Sequence, residues 1–486
     1  MRQRGTVLLA VLVVTAMAAM VAAGLLFRMH AEVKASSVAG RGEQAYAAAM
    51  SGIERAIAAL RAHPDDSEFW FDDPDIFYAQ LVGEVGGDRW YFTVWAPSPI
   101  DPLLVRHGVT DESSKINLNE ADEQTLLALP GMTVELAEAL IDYRDADDEP
   151  MPQGAEQDSY SQLDHPYLIR NGPLATVDEL LLVRGFDGTI VYGEDANLNG
   201  LLDPNEDDGE ETFPADAGDG RLSTGLRGVA TTYARMPADD GQERIDLNGD
   251  LQGIDGIGLP DQAVQFIRQY RAEGHTFRHP SELLEATYET TQASSGDTGG
   301  GSGRGSGRRA READPDEDAA EDAAESAAEG GAQPAGTTIA SGVGADELPL
   351  VMERLTASPP SGQQAVAPVV NVNTASAAVL ALVPGLNEGL AGQIVDARAS
   401  LGLDERSNVA WLYTRNLVEA EAFKQIAPLL ATRGYQFHIQ CVGYGLPSGR
   451  YCVIEAIVDL AGGEPQIVYL RNLTRLGMPF VLSEER

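Results

Sequence analysis

MRQRGTVLLAVLVVTAMAAMVAAGLLF, residues 1–27, opens on a short basic leader and then runs from Thr6 to Phe27 without a charged side chain. At about 1.5 Å per residue, roughly 22 residues in helical form cover the ~30 Å hydrocarbon core of a bilayer. A secretory signal peptide shares this pattern, with small residues suited to cleavage near Ala22-Ala23-Gly24. The residues beyond Phe27 do not read as a fresh start. Tyr46, Met50, Ile53, Ile57 and Leu60 lay an apolar stripe at helical spacing through AYAAAMSGIERAIAAL, residues 45–60. The spacing predicts one long helix from about Thr6 to Leu60, ended by His63-Pro64, with Gly40 and Gly42 as weak points. Its first half is lipid-soluble, its second half amphipathic, and its length is roughly 80 Å.

The 486-residue chain is long enough for two or three domains, and 34 basic against 75 acidic side chains leave a net charge of −41. Nucleic-acid binding rests on neutralising phosphates with Lys and Arg, so this balance opposes it and favours cations as partners. Seven histidines without a Ser/Cys/His arrangement, and no Gly-Lys-Ser/Thr phosphate loop, predict that the chain is not an enzyme. His275, His279 and His438 read as structural. The two cysteines, Cys441 and Cys452, flank a turn at Gly445-Leu446-Pro447-Ser448-Gly449. They read either as a disulfide across a hairpin or as two small buried residues in a sheet.

Asp88 to Ala96 (DRWYFTVWA) reads as a strand, the stretch from about Ser114 to Leu430 as mostly helical, and Tyr435–Gly443, Arg450–Leu460 and Gln466–Leu470 as strands. Residues 290–345 pass from Gly/Ser repeats into acidic Ala-rich sequence. They lack the large apolar residues that offset ordering entropy, which predicts a flexible linker.

Within the helical stretch the chain repeats itself. KINLNEADEQTLLALPGMTVELAEALIDYR, residues 115–144, matches VNVNTASAAVLALVPGLNEGLAGQIVDAR, residues 370–398. Asn119 and Asn373 suit the N-cap of a first helix, with Asp122 at a capping-box position. Pro130-Gly131 and Pro384-Gly385 then turn the chain into a second helix. This resembles a helix-hairpin-helix unit. A degenerate third copy starts at RIDLNGDLQGIDGIG, residues 244–258, and continues through AVQFIRQYR, residues 263–271; TVDELLLVRGF from Thr176 and HPSELLEA from His279 read as companion helices. Such units often bind DNA phosphates through a Gly-x-Gly hairpin, but Gly131-Met132-Thr133 and Gly385-Leu386-Asn387 lack the second glycine. Gly256-Ile257-Gly258 has the pair, with Asp255 and Asp261 beside it. A packing module for protein contacts is the reading these residues favour.

DANLNGLLDPNE, residues 195–206, fits the EF-hand calcium loop position by position. Asp195, Asn197 and Asn199 stand at positions 1, 3 and 5, Gly200 at the sharp turn, the Leu201 carbonyl at 7, Asp203 at 9 and Glu206 at the bidentate position 12. Thr189-Ile190-Val191-Tyr192 before it reads as a strand and Pro204 lies inside it. The expectation is therefore a structural Ca2+ loop of moderate affinity rather than a paired sensor hand. Asp207, Asp208, Glu210 and Glu211 are candidate extra ligands. Asp246-Leu247-Asn248-Gly249-Asp250 has similar ligand spacing without the glycine and overlaps the third hairpin copy, so its two readings exclude each other.

The basic leader, the glycine and the uncharged helix resemble the amino terminus of type IV pilins and pseudopilins, which a dedicated peptidase cuts after the glycine. Carried over, the cut falls between Gly5 and Thr6. The fifth mature position is a glutamate in most of that family and Ala10 here, a departure usual for the K-type minor pseudopilin of type II secretion systems. The resemblance implies an α+β, pilin-like fold, a long N-terminal helix plus antiparallel sheet, interrupted by a large inserted α-helical domain with helix-hairpin-helix-like repeats. Its divisions are a leader at 1–5, the long helix at 6–63 with 6–27 in the membrane, and a first α/β part at 64–113. The inserted α domain comes next at 114–289, then the linker at 290–345, the second part of the α domain at 346–430 and terminal strands at 431–486. The resemblance further implies a subunit anchored once in the bacterial inner membrane with its bulk in the periplasm, amino-terminally methylated, at the tip of the pseudopilus. There it would support export of folded proteins across the outer membrane. Its implied partners are the I- and J-type minor pseudopilins, the major pseudopilin and the prepilin peptidase, with no nucleic acid. The alternative is a membrane-anchored extracytoplasmic helix-hairpin-helix DNA-binding protein of the competence type.

Overall fold

The computed structural model describes residues 4–98, 103–234, 244–289, 338–359 and 370–480. Helix α1 spans Arg4–Ala62 in 59 residues without a break, about 90 Å of helix, and Gly40 and Gly42 lie inside it. Its side chains from residue 7 to 40 are all exposed, while Ala45, Ala48, Ala49, Ile53, Ala56, Ile57 and Leu60 are buried. The buried face thus differs from the expected stripe. Tyr46 points outward and small residues take its place.

That face lies on an antiparallel sheet of seven strands: β1 (Gln80–Val85), β2 (Asp88–Pro97), β3 (Val105–Arg106), β4 (Thr110–Asp111), β5 (Gln436–Leu446), β6 (Arg450–Asp459) and β7 (Gln466–Asn472). The order is β1-β2-β5-β6-β7, with β3 on β2 and β4 on β5. The expected strands in this region are all present. Phe92, Val94, Ile439, Cys441, Ile454 and Ala456 face the helix, alternating with Trp95, Val442, Tyr444 and Val453 on the other face. The small residues of α1 explain the fit. A Cβ on Gly443 would stand 2.2 Å from the Ala45 carbonyl oxygen and 2.3 Å from the Ala49 nitrogen, and one on Gly52 would stand 2.3 Å from Cys441 Sγ.

Both cysteines are free and buried. The β5–β6 register sets Cys441 opposite Ile454 and Cys452 opposite Gly443, so the two stand diagonally, where Cβ atoms are ~7 Å apart rather than the ~4 Å of a disulfide. The disulfide reading is corrected to two buried thiols, with Cys452 Sγ accepting from Thr474 Oγ1 at 3.3 Å.

Strands β4 and β5 are neighbours in the sheet, yet everything between Glu112 and Tyr435 separates them in sequence. This insertion is less helical than expected. Among the described residues its longest helices have 11 or 12 residues, and the rest is short helical turns and loops, as its density of Gly, Pro and Asp dictates. Two expectations at its edges change. Gly188–Tyr192 is a short helix with Asp187 as N-cap, not a strand. Thr338–Ala340 pairs with Thr287–Glu289, and Ser341 and Val343 are buried, so the far boundary of the expected linker moves back; residues 290–337 lie outside the described residues.

The insertion consists of three units in succession, each closed by a parallel pairing of two-residue strands. Ile116–Asn117 pairs with Ala230–Thr231, Ile245–Asp246 with Leu355–Thr356, and Val370–Asn371 with Leu430–Ala431. The first and third share one core, and the middle unit has its own around Phe266, Ile267 and Val351.

Candidate functional site

In the first unit, α2 (Glu123–Ala128) and α3 (Val134–Arg144) form the hairpin; α4 (Asp261–Ala272) closes the hairpin of the second, and α5 (Ala377–Leu380) and α6 (Glu388–Arg398) that of the third. The capping differs from expectation. Asp122 and Ser376 cap the first helices, and Thr133 and Asn387 the second. Asn119 and Asn373 instead staple each unit shut. Asn119 Nδ2 donates to the carbonyls of Leu174 and Thr232, and Asn373 Nδ2 to those of Arg406 and Thr432. Asn248 does the same with Phe277 and Ser358, which identifies the third repeat copy and decides its rival reading, because Asp246 accepts from Asn248 N and Ser358 N inside that staple.

The hairpin glycines Gly131, Gly258 and Gly385 have φ of +74°, +91° and +89°, which glycine adopts without strain; Gly256 sits in the preceding 3-10 turn, so the Gly-x-Gly reading is replaced by a single turn glycine. Thirteen residues after each stands an arginine that bonds within its own unit. Arg144 donates to the carbonyls of Leu118 and Ala121, Arg271 to those of Asn248 and His275, and Arg398 to those of Val372 and Ala375.

The 195–206 segment folds as a closed loop. Asp195 Oδ1 accepts from Asn199 N and its Oδ2 from Gly200 N, each at 3.0 Å, while Gly200 takes φ +66° at the sharp turn. Glu206 returns from the 3-10 turn Pro204–Glu206 to accept from Ala196 N at 3.0 Å and Asp203 N at 3.1 Å. Asn197 and Asn199 turn their amide nitrogens to Asp203 Oδ2 at 2.7 and 2.9 Å, while their amide oxygens accept from Asn199 N and Leu201 N. Asp195 and Glu206 are buried, and burial pushes both carboxyls up, Glu206 to about 7. Two buried carboxyls and Asp203 in one short loop are side chains of the type a hard divalent cation such as Ca2+ takes. The candidate extra ligands are used elsewhere or point away. Asp207 and Asp208 cap local turns at Gly220 and Thr212, and Glu210 and Glu211 are exposed.

This loop is seated against the sheet. Gly200 packs on the Pro97 ring at the end of β2, Asn199 Nδ2 donates to the Pro479 carbonyl, and Gln440 Nε2 on β5 donates to the Leu198 carbonyl. Beside it, charged groups that no sequence pattern announced join the insertion to β5–β7. Glu455 on β6 accepts from His438 Nε2 at 2.8 Å and pairs with Arg227. Arg227 reaches Asp178 at 3.3 Å, and Arg471 on β7 reaches Asp178 at 2.6 Å. Glu112 receives Lys115 Nζ at 3.3 Å and the Thr231 hydroxyl. His438 is thus structural, as are His279, which accepts from Ser281 N, and His275, which stacks on Tyr270.

The proposed cleavage bond, Gly5–Thr6, lies in the first turns of α1, and this helix is long and apolar enough to cross a membrane. Residues 109–192, from β4 into the first hairpin unit, match the family model of type II secretion system (T2SS), protein K. This stretch of the chain is similar to protein K of type II secretion systems. Residues 366–431 match the helix-hairpin-helix motif, which coincides with the third unit. A chain from the GspK-GspI-GspJ complex of the enterotoxigenic Escherichia coli Type 2 Secretion System is similar at 11% identity and a TM-score of 0.40, over 92% of this chain and 99% of that one. At that level no contact is transferred from it. Against curated proteins the sequence finds no match. The long helix, the antiparallel sheet and the hairpin motif are all present in this structure.

Proposed function

We propose that this chain works as the K-type minor pseudopilin at the tip of a periplasmic pseudopilus. There it would be held by α1 in the inner membrane, joined to I- and J-type minor pseudopilins and to the major pseudopilin, and would support export of folded proteins across the outer membrane. The observation that carries this is α1 itself: one unbroken helix whose first half is bare apolar surface and whose second half is locked on the sheet. A cleavable export signal has no reason to be continuous with the helix that organises the folded domain. The bulk of the insertion favours an end position, because a subunit this broad is poorly suited to repeat along a tightly packed helical filament. The three recurring arginines, bound to carbonyls of their own units, support hairpins that contact protein rather than phosphate.

The test is the mature amino terminus together with what co-purifies. A chain starting at Thr6, isolated with two other minor pseudopilins, is the expected result. A start near Gly24, or retention on DNA at physiological salt without those partners, overturns the proposal.

The same reading places a structural Ca2+ in the 195–206 loop. Calcium at 100-fold its dissociation constant adds about 2.7 kcal/mol to the stability of a protein that binds it only when folded. Glu206→Gln is expected to remove that gain in thermal unfolding with and without EDTA. An unchanged calcium response in the variant counts against the loop.

A further inference from the structure

The sheet and the insertion do not meet along their whole length. Between them lies a cleft of about 750 Å3, bounded on the sheet side by Pro97 of β2, Arg106 of β3 and Gln440 of β5, and on the other by the 195–206 loop, Arg221 and Val379 of α5. That volume is in the range of pockets that bury a drug-sized ligand, and it leaves room for a few residues of extended peptide. Its walls are mixed. Phe71, Leu222 and Val379 are apolar, while Arg106 and Arg221 bring positive charge.

Arg106 does not fit a self-sufficient protein interior. It is buried, with a relative exposure of 6%. Its Nη1 donates to the Phe71 and Val109 carbonyls and its Nη2 to the Thr110 hydroxyl, its guanidinium lies 4.0 Å from the centre of the Phe71 ring, and its Nε has no hydrogen-bond partner. These contacts fix the group without neutralising it. Among the described residues no carboxylate pairs with it, and Asp72, whose charge acts on it, accepts from His107 N. Burial accordingly pulls its pKa down, with Asp72 opposing. A buried cation without a counter-ion is costly. Arg221 is the second such charge, exposed at the same cleft, and its side chain makes no hydrogen bond or ion pair among the described residues. The acids on the walls are spent elsewhere: Asp111 accepts from Ser113 N, Asn371 Nδ2 and Thr374 Oγ1, and Asp195 from Asn199 N and Gly200 N. Lys115 and Arg227 also line the cleft, but they are paired with Glu112 and Glu455.

We propose that this cleft binds a short acidic segment of a partner protein, its carboxylates held by the charges of Arg106 and Arg221 and its apolar side chains against Phe71, Leu222 and Val379. Arginine is weakly hydrated for a cation and suited to partly buried pairs with carboxylates. A free phosphate would meet the same charges but leave the apolar walls uncovered. The net charge of −41 opposes a long polyanion such as nucleic acid, whereas a segment with two or three carboxylates meets chiefly the local field of the cleft. The occupant would touch the sheet, the first unit at Arg227 and the third at Val379 together, and so tie the insertion to the helix–sheet domain. This inference depends neither on the pseudopilus reading nor on an ion in the 195–206 loop.

The experiment is isothermal titration calorimetry of the detergent-solubilised full chain at about 0.15 M NaCl, with an acetylated and amidated hexapeptide of alternating glutamate and leucine as the probe. Saturable binding is expected, with the glutamine–leucine counterpart at least about tenfold weaker and a similar loss for the acidic peptide at about 1 M NaCl. Arg221→Glu is expected to weaken the acidic peptide by about tenfold or more, and the Arg221 side chain has no bond to lose, so the variant is expected to fold as wild type does. Ala378→Trp, at an exposed position of α5 on the cleft wall, fills the cleft without changing a charge and is expected to abolish binding. No binding at about 1 mM acidic peptide overturns the proposal, as does equal affinity for the glutamine peptide or wild-type affinity in both variants. Displacement of the peptide by inorganic phosphate or succinate at the peptide's own concentration overturns the assignment to a protein segment in favour of a free small anion.

Discussion

Gly443→Ala is expected to lower the stability of the helix–sheet domain by about 3 kcal/mol or more, at the upper end of what overpacking costs. Gly443 lies mid-strand in β5, between Phe92 on β2 and Cys452 on β6, and the Cβ it lacks would meet the Ala45 carbonyl oxygen at 2.2 Å, the Ala49 nitrogen at 2.3 Å and the Ala48 carbonyl carbon at 2.9 Å. All three obstacles are backbone, so no rotamer change relieves them. Either α1 lifts from the sheet or β5 leaves its register, and both uncover the core formed by Ile53, Phe92, Ile439 and Ile454. Gly462→Ala, where a Cβ meets nothing, is the matched control and is expected within about 0.5 kcal/mol of wild type. Chemical unfolding followed by near-UV circular dichroism reads the difference. Equal midpoints for the two variants would show that α1 does not approach β5 this closely.

The second large effect is expected at Glu455. Burial alone would raise its carboxyl, but the hydrogen bond from His438 and the charges of His438, Arg227 and Arg471 outweigh burial and bring it from an ordinary 4.5 down to about 2. A carboxyl lowered by folding stabilises the folded state above its ordinary range, and that contribution is lost as pH falls from about 4.5 toward 2. The size is about 3 kcal/mol at ~1.4 kcal/mol per unit. Glu112, held low by Lys115 and His438 against its own burial, adds in the same direction. Glu455→Gln is expected to cost about 3 kcal/mol near neutral pH, since it leaves the half-buried Arg227 with Asp178 as its remaining ion pair. It is also expected to flatten the acid limb of the stability profile. A variant whose stability still falls as steeply between pH 4.5 and 2 would remove Glu455 from that role.

How much of this chain was legible in its sequence depends on how far apart the interacting residues are. The end of α1 at His63-Pro64, the strands around DRWYFTVWA and the closed loop at 195–206 are set by residues within one turn or one strand of each other, and periodicity or spacing displayed them. The repeat displayed the hairpin glycines for the same reason. Asn119 and Asn373 were legible as important and misassigned in role. An asparagine before a helix suggests a cap, and its actual partners, Thr232 and Thr432, lie 113 and 59 residues away. Asp178, Arg227, Glu455 and Arg471 carried no signal at all, since Arg227 and Glu455 are 228 residues apart and each reads alone as an ordinary charge in an acidic chain.

The placement of β5 sets the order in which this chain acquires structure. Each of the three inserted units closes on a strand pair of its own, at residues 231, 356 and 431 in turn, and the core that the first shares with the third is filled once the third is made. The sheet cannot do this. Strands β1 and β2 exist early, but β5, which lies between β2 and β6, arrives only at residue 436, and until then the small-residue face of α1 and the inner side of Phe92 and Val94 have no cover. The domain that begins first is therefore finished last, after a loop closure spanning more than three hundred residues. A chain interrupted before β5 holds three closed units on an unfinished anchor domain with an open strand edge, the form of this protein most exposed to misassembly.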